Sequence, residues 1–157
     1  GATILYNKAL YSQATKLLYS ASKLAEKHER HSILLEIGQQ QQRLVETKHY
    51  SSVKTEEVEE LQNRSNIAIQ QLQIQTELWF TKSKLFMELN TKGRTPDDRY
   101  RNQLEEYHNQ INEQCRTAVL SVSNTYLYNH IEAAYYFAIN DFDKSMIHLT
   151  NNIQLLA

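Results

Sequence analysis

The stretch AYYFAINDFDKSMIHL, Ala134 to Leu149, decides the fold. It reads as two apolar-striped helices pressed around a short polar corner, Asn140-Asp141, the pattern of an antiparallel helical hairpin. The rest of the chain agrees with it. Only three Gly and one Pro interrupt 157 residues, and few short runs alternate strictly between apolar and polar, so the expected class is all-α. A chain of this length fits one domain and can bury a core if its helices pack in layers.

Outward from that hairpin, periodicity divides the chain into about six helices, expected as stacked antiparallel hairpins in an array or bundle. The first runs from Ile4 to about Lys27, with Leu10, Ala14, Leu17, Leu18, Ala21, Leu24 and Ala25 recurring at three and four as one apolar face. The polar cluster EKHERHS makes a corner, and Ile33, Leu34, Ile37, Leu44 and Val45 continue the stripe in a second helix to about Tyr50. A third starts near Thr55, a capping residue, with Glu56 and Glu57 complementing the helix dipole in the first turn. It is long and central, because two apolar stripes run along it: one from Val58 through Leu61, Ala68 and Leu72 to Trp79, Phe86 and Leu89, and one through Ile67, Ile74, Leu78 and Leu85. An isolated coiled coil is the competing reading of that repeat, but the Glu and Lys usual at flanking positions are sparse.

TKGRTPDDR then reads as a helix stop followed by a start. Gly93 suits the left-handed position past a helix end, Thr95 caps, Pro96 takes the first helical position, and Asp98 completes a capping box. The fourth helix carries Tyr100, Leu104, Tyr107, Ile111 and Cys115 on one face, a break falls between Gln114 and Thr125, a fifth covers at least Tyr126 to Asn140, and a sixth runs from about Phe142 to the end.

In the tetratricopeptide pattern a small residue late in one helix, an aromatic three residues on, and a small residue in the next helix let two antiparallel helices approach, and a bulky residue four further on fills the groove. Ala133, Tyr136, Ser145 and Leu149 stand at those spacings, and Asn140-Asp141-Phe142 matches the Gly-Asp-Tyr corner, so the stretch resembles a degenerate tetratricopeptide repeat. Asn129 and Glu132 stand where Trp and Leu are usual, and Asn152 replaces a second small residue. Leu34, Ile37 and Gly38 fit the first half of the motif again, with the large Tyr50 where a small residue should follow. The order of segments looks like a group of uncharacterised bacterial tetratricopeptide-like proteins. That resemblance implies a right-handed array of hairpins and brings no catalytic residues, cofactor or partner with it. It implies that Ala133 and Ser145 face each other, that larger residues there are destabilising, and that Ser145→Ala is neutral or slightly stabilising.

Seventeen basic against eighteen acidic residues remove the electrostatic footprint of a nucleic-acid or anionic-membrane binder, which leaves a protein or peptide as partner, with self-association through exposed terminal helices as a further route. Lone Cys115 forms no internal disulfide, and no leader or run of eighteen apolar residues appears, so the compartment reads as cytoplasmic. The start at Gly1 suggests a segment of a longer chain.

No constellation names a reaction. His28 and His31 sit in a polar corner and read as a solvated turn rather than a metal site; His49, His108, His130 and His148 are scattered over different helices. Cys115 and His108 lie two helical turns apart, about 10 Å, too far for a thiolate–imidazole pair. No cofactor or metal is expected, and no enzyme. The aromatic cluster places Tyr136 in the core, with Tyr135 pointing about 100° away as a candidate interaction residue. Gln41 in QQQQ and Gln71 and Gln75 in QQLQIQ are candidates for a polar peptide groove. The expected function is a non-enzymatic protein or peptide interaction module, a helical-repeat scaffold; the alternative is a ligand- or peptide-sensing regulatory module coupled to an output domain.

Overall fold

The computed structural model describes residues 1–92 and 97–157. The chain is all-helical: α1 (Ala2–Lys27), α2 (His31–Thr47), α3 (Thr55–Lys92), α4 (Asp98–Cys115), α5 (Val122–Ala138) and α6 (Phe142–Leu155). α3 is the long helix that the double stripe requires. Two compact units form, 1–72 and 73–157, each with its own core, and the boundary falls inside α3.

The helix ends explain the corners. α1, α2 and α5 close in the same way: the second residue past the cap donates its amide five residues back (Arg30 to Ala25, Tyr50 to Val45, Asp141 to Tyr136), and the residue before it is left-handed. Glu29, His49 and Asn140 hold those left-handed positions with φ of 52°, 49° and 64°. In the opening stretch, Asn140 turns the chain, and Asp141 then accepts from the Lys144 amide at 3.2 Å to start α6.

One start, that of α4, differs from expectation, and that of α5 falls inside the expected break. α5 begins at Val122, four residues before Tyr126, because the Ser121 hydroxyl accepts from the Asn124 amide at 3.1 Å. α4 begins at Asp98 with Asp97 as its cap, accepting from the Tyr100 amide at 2.8 Å. Gly93, Thr95 and Pro96 lie outside the described residues.

Unit 1 is built on small residues. Ser22, Ala25, Gly38 and Ala68 are buried with Leu34. A methyl group on Gly38 would stand 3.2 Å from Ser65 Oγ and 3.6 Å from Leu61 Cδ1, so α2 approaches α3 through the missing side chain. Leu10, Leu17 and Leu24, placed inward by periodicity, are exposed instead. α1 carries two adjacent apolar stripes, and the one with Leu18, Ala21, Ser22 and Ala25 packs inward because small side chains permit the closer helix approach. In unit 2 the core is Ile74, Leu78 and Leu85 of α3, Tyr100, Leu104 and Ile111 of α4, and Ile131, Tyr135 and Ala138 of α5. The face expected for α4 is the face it buries.

Candidate functional site

α5 turns two faces to its neighbours. One, with Ile131, Tyr135 and Ala138, joins the apolar core; the other meets α6 through polar groups. Ser145 Oγ donates to the Ala133 carbonyl at 2.8 Å, the Asn152 amide donates to the Tyr126 carbonyl at 3.0 Å, and His148 Nδ1 stands 2.9 Å from Asn129 Oδ1. Contacts that climb α6 while descending α5 make the pair antiparallel. The residues that meet are Asn129, Glu132 and Tyr136 against Ser145, His148 and Asn152, both at spacings of three and four.

Glu132 is the centre of this face, 2 % exposed. Its Oε2 lies 2.8 Å from His108 Nε2 of α4 and 3.9 Å from His148 Nε2 of α6, so one carboxylate is shared by three helices. The His108 contact assigns the proton to Nε2, which donates to the carboxylate. Asn112, 3.0 Å from the same nitrogen, then sends its amide hydrogens to the His108 carbonyl at 3.0 Å and, more weakly, to Glu132 Oε1 at 3.4 Å. Tyr128 closes the network by donating to Asn112 Oδ1 at 2.8 Å. Aromatic rings wall it: Tyr135 stacks on His108 at 4.1 Å, and Tyr136 stacks on His148 at 5.7 Å.

The surroundings hold nearby groups in their neutral forms. Burial, reinforced by Glu132, pushes the Cys115 thiol up to about 11 and the Tyr128 phenol up to about 12. Tyr135 and Tyr136 are raised for the same first cause. A protonated thiol is a poor nucleophile, which agrees with Cys115 as a packing residue. Among the described residues no three His, Cys, Asp or Glu side chains are grouped to hold a metal ion. His28 caps the end of α1 and His31 begins α2, so the two stand on opposite sides of the corner.

His148 and His130 are both pushed below the usual imidazole range, first by burial; for His148 the neighbouring Glu132 opposes the shift and His108 adds to it, and for His130 Lys82 adds to it. Folded protein therefore binds fewer protons than the unfolded chain once pH falls below the ordinary imidazole value of about 6.5. Stability from these two sites is complete above that pH and is lost as pH falls through the lowered values. Urea melts should show a lower midpoint at pH 5 than at pH 7.5, with the difference reduced in His148→Gln. An equal or higher midpoint at pH 5 would contradict the burial of these rings.

The sequence-derived residues are distributed as follows. Gly38, Ala133 and Ser145 lie at close helix approaches. Tyr136 is half-buried against His148, and Tyr135 is the more buried of the two, inside the core rather than on an interaction surface. Gln71 is also buried, Gln75 is exposed, and Gln41 lines a cavity in unit 1. Leu149 does not fill the hairpin groove. It is exposed, because α6 packs through the helical face that carries Ser145, His148 and Asn152. The network of His108, Asn112, Asn129, Glu132 and His148 was missed; its signal was the set of polar residues at the repeat positions where Trp, Leu and a small residue are usual.

Beside the packed face of α6, roughly a quarter-turn around the helix, lies a continuous apolar seam. Phe142, Met146, Leu149, Ile153 and Leu156 follow one another at four, three, four and three residues and are 43 % to 75 % exposed, whereas Ser145 and Asn152 are 4 % and 6 % exposed. α6 thus packs through Ser145, His148 and Asn152 and exposes the seam on the flank beside them, while Asp143, Thr150 and Gln154 occupy the face turned away from α5. Between α3 and α4 lies a groove of about 820 Å³ lined by Glu77, Glu105, Glu106 and Glu113 with amide side chains. A comparison of the chain with protein-family models, curated proteins and solved structures finds no match.

Proposed function

We propose that the chain is a non-enzymatic interaction module of tetratricopeptide-like helical hairpins, and that α6 docks an amphipathic helix of a protein partner along its outward seam. The observation that carries this reading is the exposed apolar seam on the flank of α6. Moving one large apolar side chain out of water is worth about 1.5–3 kcal/mol, and the hairpin leaves five of them in one line, a contiguous patch of the kind that marks interaction sites. Their spacing is the seam that a second helix fills knobs-into-holes.

The seam's borders specify the partner further. Thr150 and Gln154 beside it are neutral and Asp143 is the one charged residue on that side, so the seam selects a partner by apolar contact rather than by charge. Lys144 is the one basic residue of α6, which leaves it without the cationic face of a helix that lies on anionic lipid. Near-zero formal charge argues the same way against nucleic acid. No described helix is long and apolar enough to cross a membrane.

A synthetic helix with Leu at its seam positions and Gln and Ser elsewhere, fluorescently labelled, serves as the probe. It should bind saturably in the micromolar range, with affinity reduced at least about tenfold by Met146→Glu/Ile153→Glu while the melting midpoint stays within a few degrees. Binding unchanged by that double variant would contradict the proposal. A dimer of the chain that dissociates in the same variant would place a second copy on the seam instead of a foreign helix.

A further inference from the structure

Unit 1 contains a cavity that the α6 seam does not explain. Its volume is about 570 Å³, within the range of small-molecule sites, and all three helices of the unit line it. The cavity follows from the packing. At one level of the unit Ala25, Gly38 and Ala68 let the helices close on one another, whereas nearer the start of α1 and the end of α2 long side chains meet and leave space. Tyr11 and Tyr19 of α1, Leu44 of α2, and Val58 and Leu61 of α3 form apolar walls there.

The charges among its lining residues are balanced or at the rim, and the Lys48 ammonium stands 4.1 Å from the centre of the Tyr11 ring. The Arg64 guanidinium, with only 10 % of its side chain exposed, pairs with Glu60 at 2.8 Å and with Glu26 at 3.8 Å, so the one deep cation is cancelled. Lys16 and Glu57 are both exposed. A net cation inside would lose its water without gaining a free counter-charge, and the Lys48 ammonium is held against the Tyr11 ring rather than turned to an anion in the cavity. One polar group among the lining residues lacks a partner: Gln41 Oε1 is shielded from solvent and accepts no hydrogen bond. Turning that amide toward the cavity would give the oxygen to a donor on a ligand, which restores the bond that burial otherwise forfeits.

We infer that the unit 1 cavity binds a neutral, ring-containing small molecule that carries a hydroxyl or N–H donor, held between Tyr11 and Tyr19 with its donor on Gln41. The inference is independent of the α6 seam, since the two lie on different helices.

The test is an amide-detected NMR titration of the intact chain with three probes of one shape: 2-naphthol, 2-naphthoate and 2-naphthylmethylammonium. 2-Naphthol should saturate with a Kd below about 1 mM and shift the Gln41 side-chain amide and the Leu44 and Val58 backbone signals, and the two charged probes should bind at least about tenfold more weakly. Val58→Trp, which fills the space, and Gln41→Leu, which removes the acceptor and no bulk, should each weaken 2-naphthol at least about fivefold. Met146→Glu/Ile153→Glu should leave it unchanged. No saturable shift at several millimolar, equal binding of all three probes, or loss of binding in the α6 variant would overturn the inference.

Discussion

Glu132→Ala lowers the unfolding free energy of unit 2 by about 3–5 kcal/mol, the largest effect expected of any single substitution in the chain. The carboxylate is 2 % exposed and receives the His108 proton at 2.8 Å, with His148 at 3.9 Å and Asn112 Nδ2 at 3.4 Å. Truncation leaves the His108 Nε2–H without its carboxylate acceptor and opens a cavity among three helices, so desolvation and packing costs add. Glu132→Gln separates the two. Its amide oxygen still accepts from His108 and its volume is unchanged, so it should cost only about 1–2 kcal/mol. Urea titrations at pH 7.5 measure both. If alanine and glutamine are equally mild, the network contributes little, and α4, α5 and α6 are held by the apolar core alone.

Overpacking the α5–α6 contact is the second large effect. Ser145→Leu and Ala133→Leu should each cost about 1–3 kcal/mol, since a leucine at either position forces the backbones apart where Ser145 Oγ reaches the Ala133 carbonyl at 2.8 Å. Gln154→Leu, on an exposed part of the same helix, should stay within about 0.5 kcal/mol. The hydrogen bond also reverses an expectation. Taken from the repeat pattern, Ser145→Ala is neutral or slightly stabilising; with the hydroxyl buried and donating, it should cost about 0.5–1.5 kcal/mol. Denaturant midpoints identical to the parent for both leucine variants would mean that the helices do not meet through these residues.

These two cases show what was legible in the sequence. Scarce Gly and Pro and a three-four periodicity were enough for six helices with a long third, and Asn140-Asp141 was enough for the corner, because helix continuity and its ends are local properties. Periodicity alone does not say which face meets a neighbour. In α1 two apolar stripes compete, and the small-residue stripe wins because close approach gains more contact than Leu10, Leu17 and Leu24 could. In α6 the rule inverts: Ser145, His148 and Asn152 go inward because Ala133, Glu132, Asn129 and the Tyr126 carbonyl give each of them a partner. That satisfaction depends on α4 and α5 together, so no window of local sequence contains it. Leu149 was placed in the groove on spacing, and it stands instead about 40° around the helix from Ser145, just past the packed face, in the exposed seam.

The claim on which the function rests is that α6 buries Ser145 and Asn152 and leaves the apolar seam beside them exposed, and thiol accessibility measures it directly. In a Cys115→Ala background, single cysteines at 145, 146, 152 and 153 are reacted with a maleimide under native conditions. The account predicts that Met146→Cys and Ile153→Cys react at nearly the rate of an unfolded control, while Ser145→Cys and Asn152→Cys react at least about a hundredfold more slowly, because modification there requires local opening of the hairpin. Fast labelling at 145 and 152 with protection at 146 and 153 would show that the apolar face is the buried one, and would contradict the account.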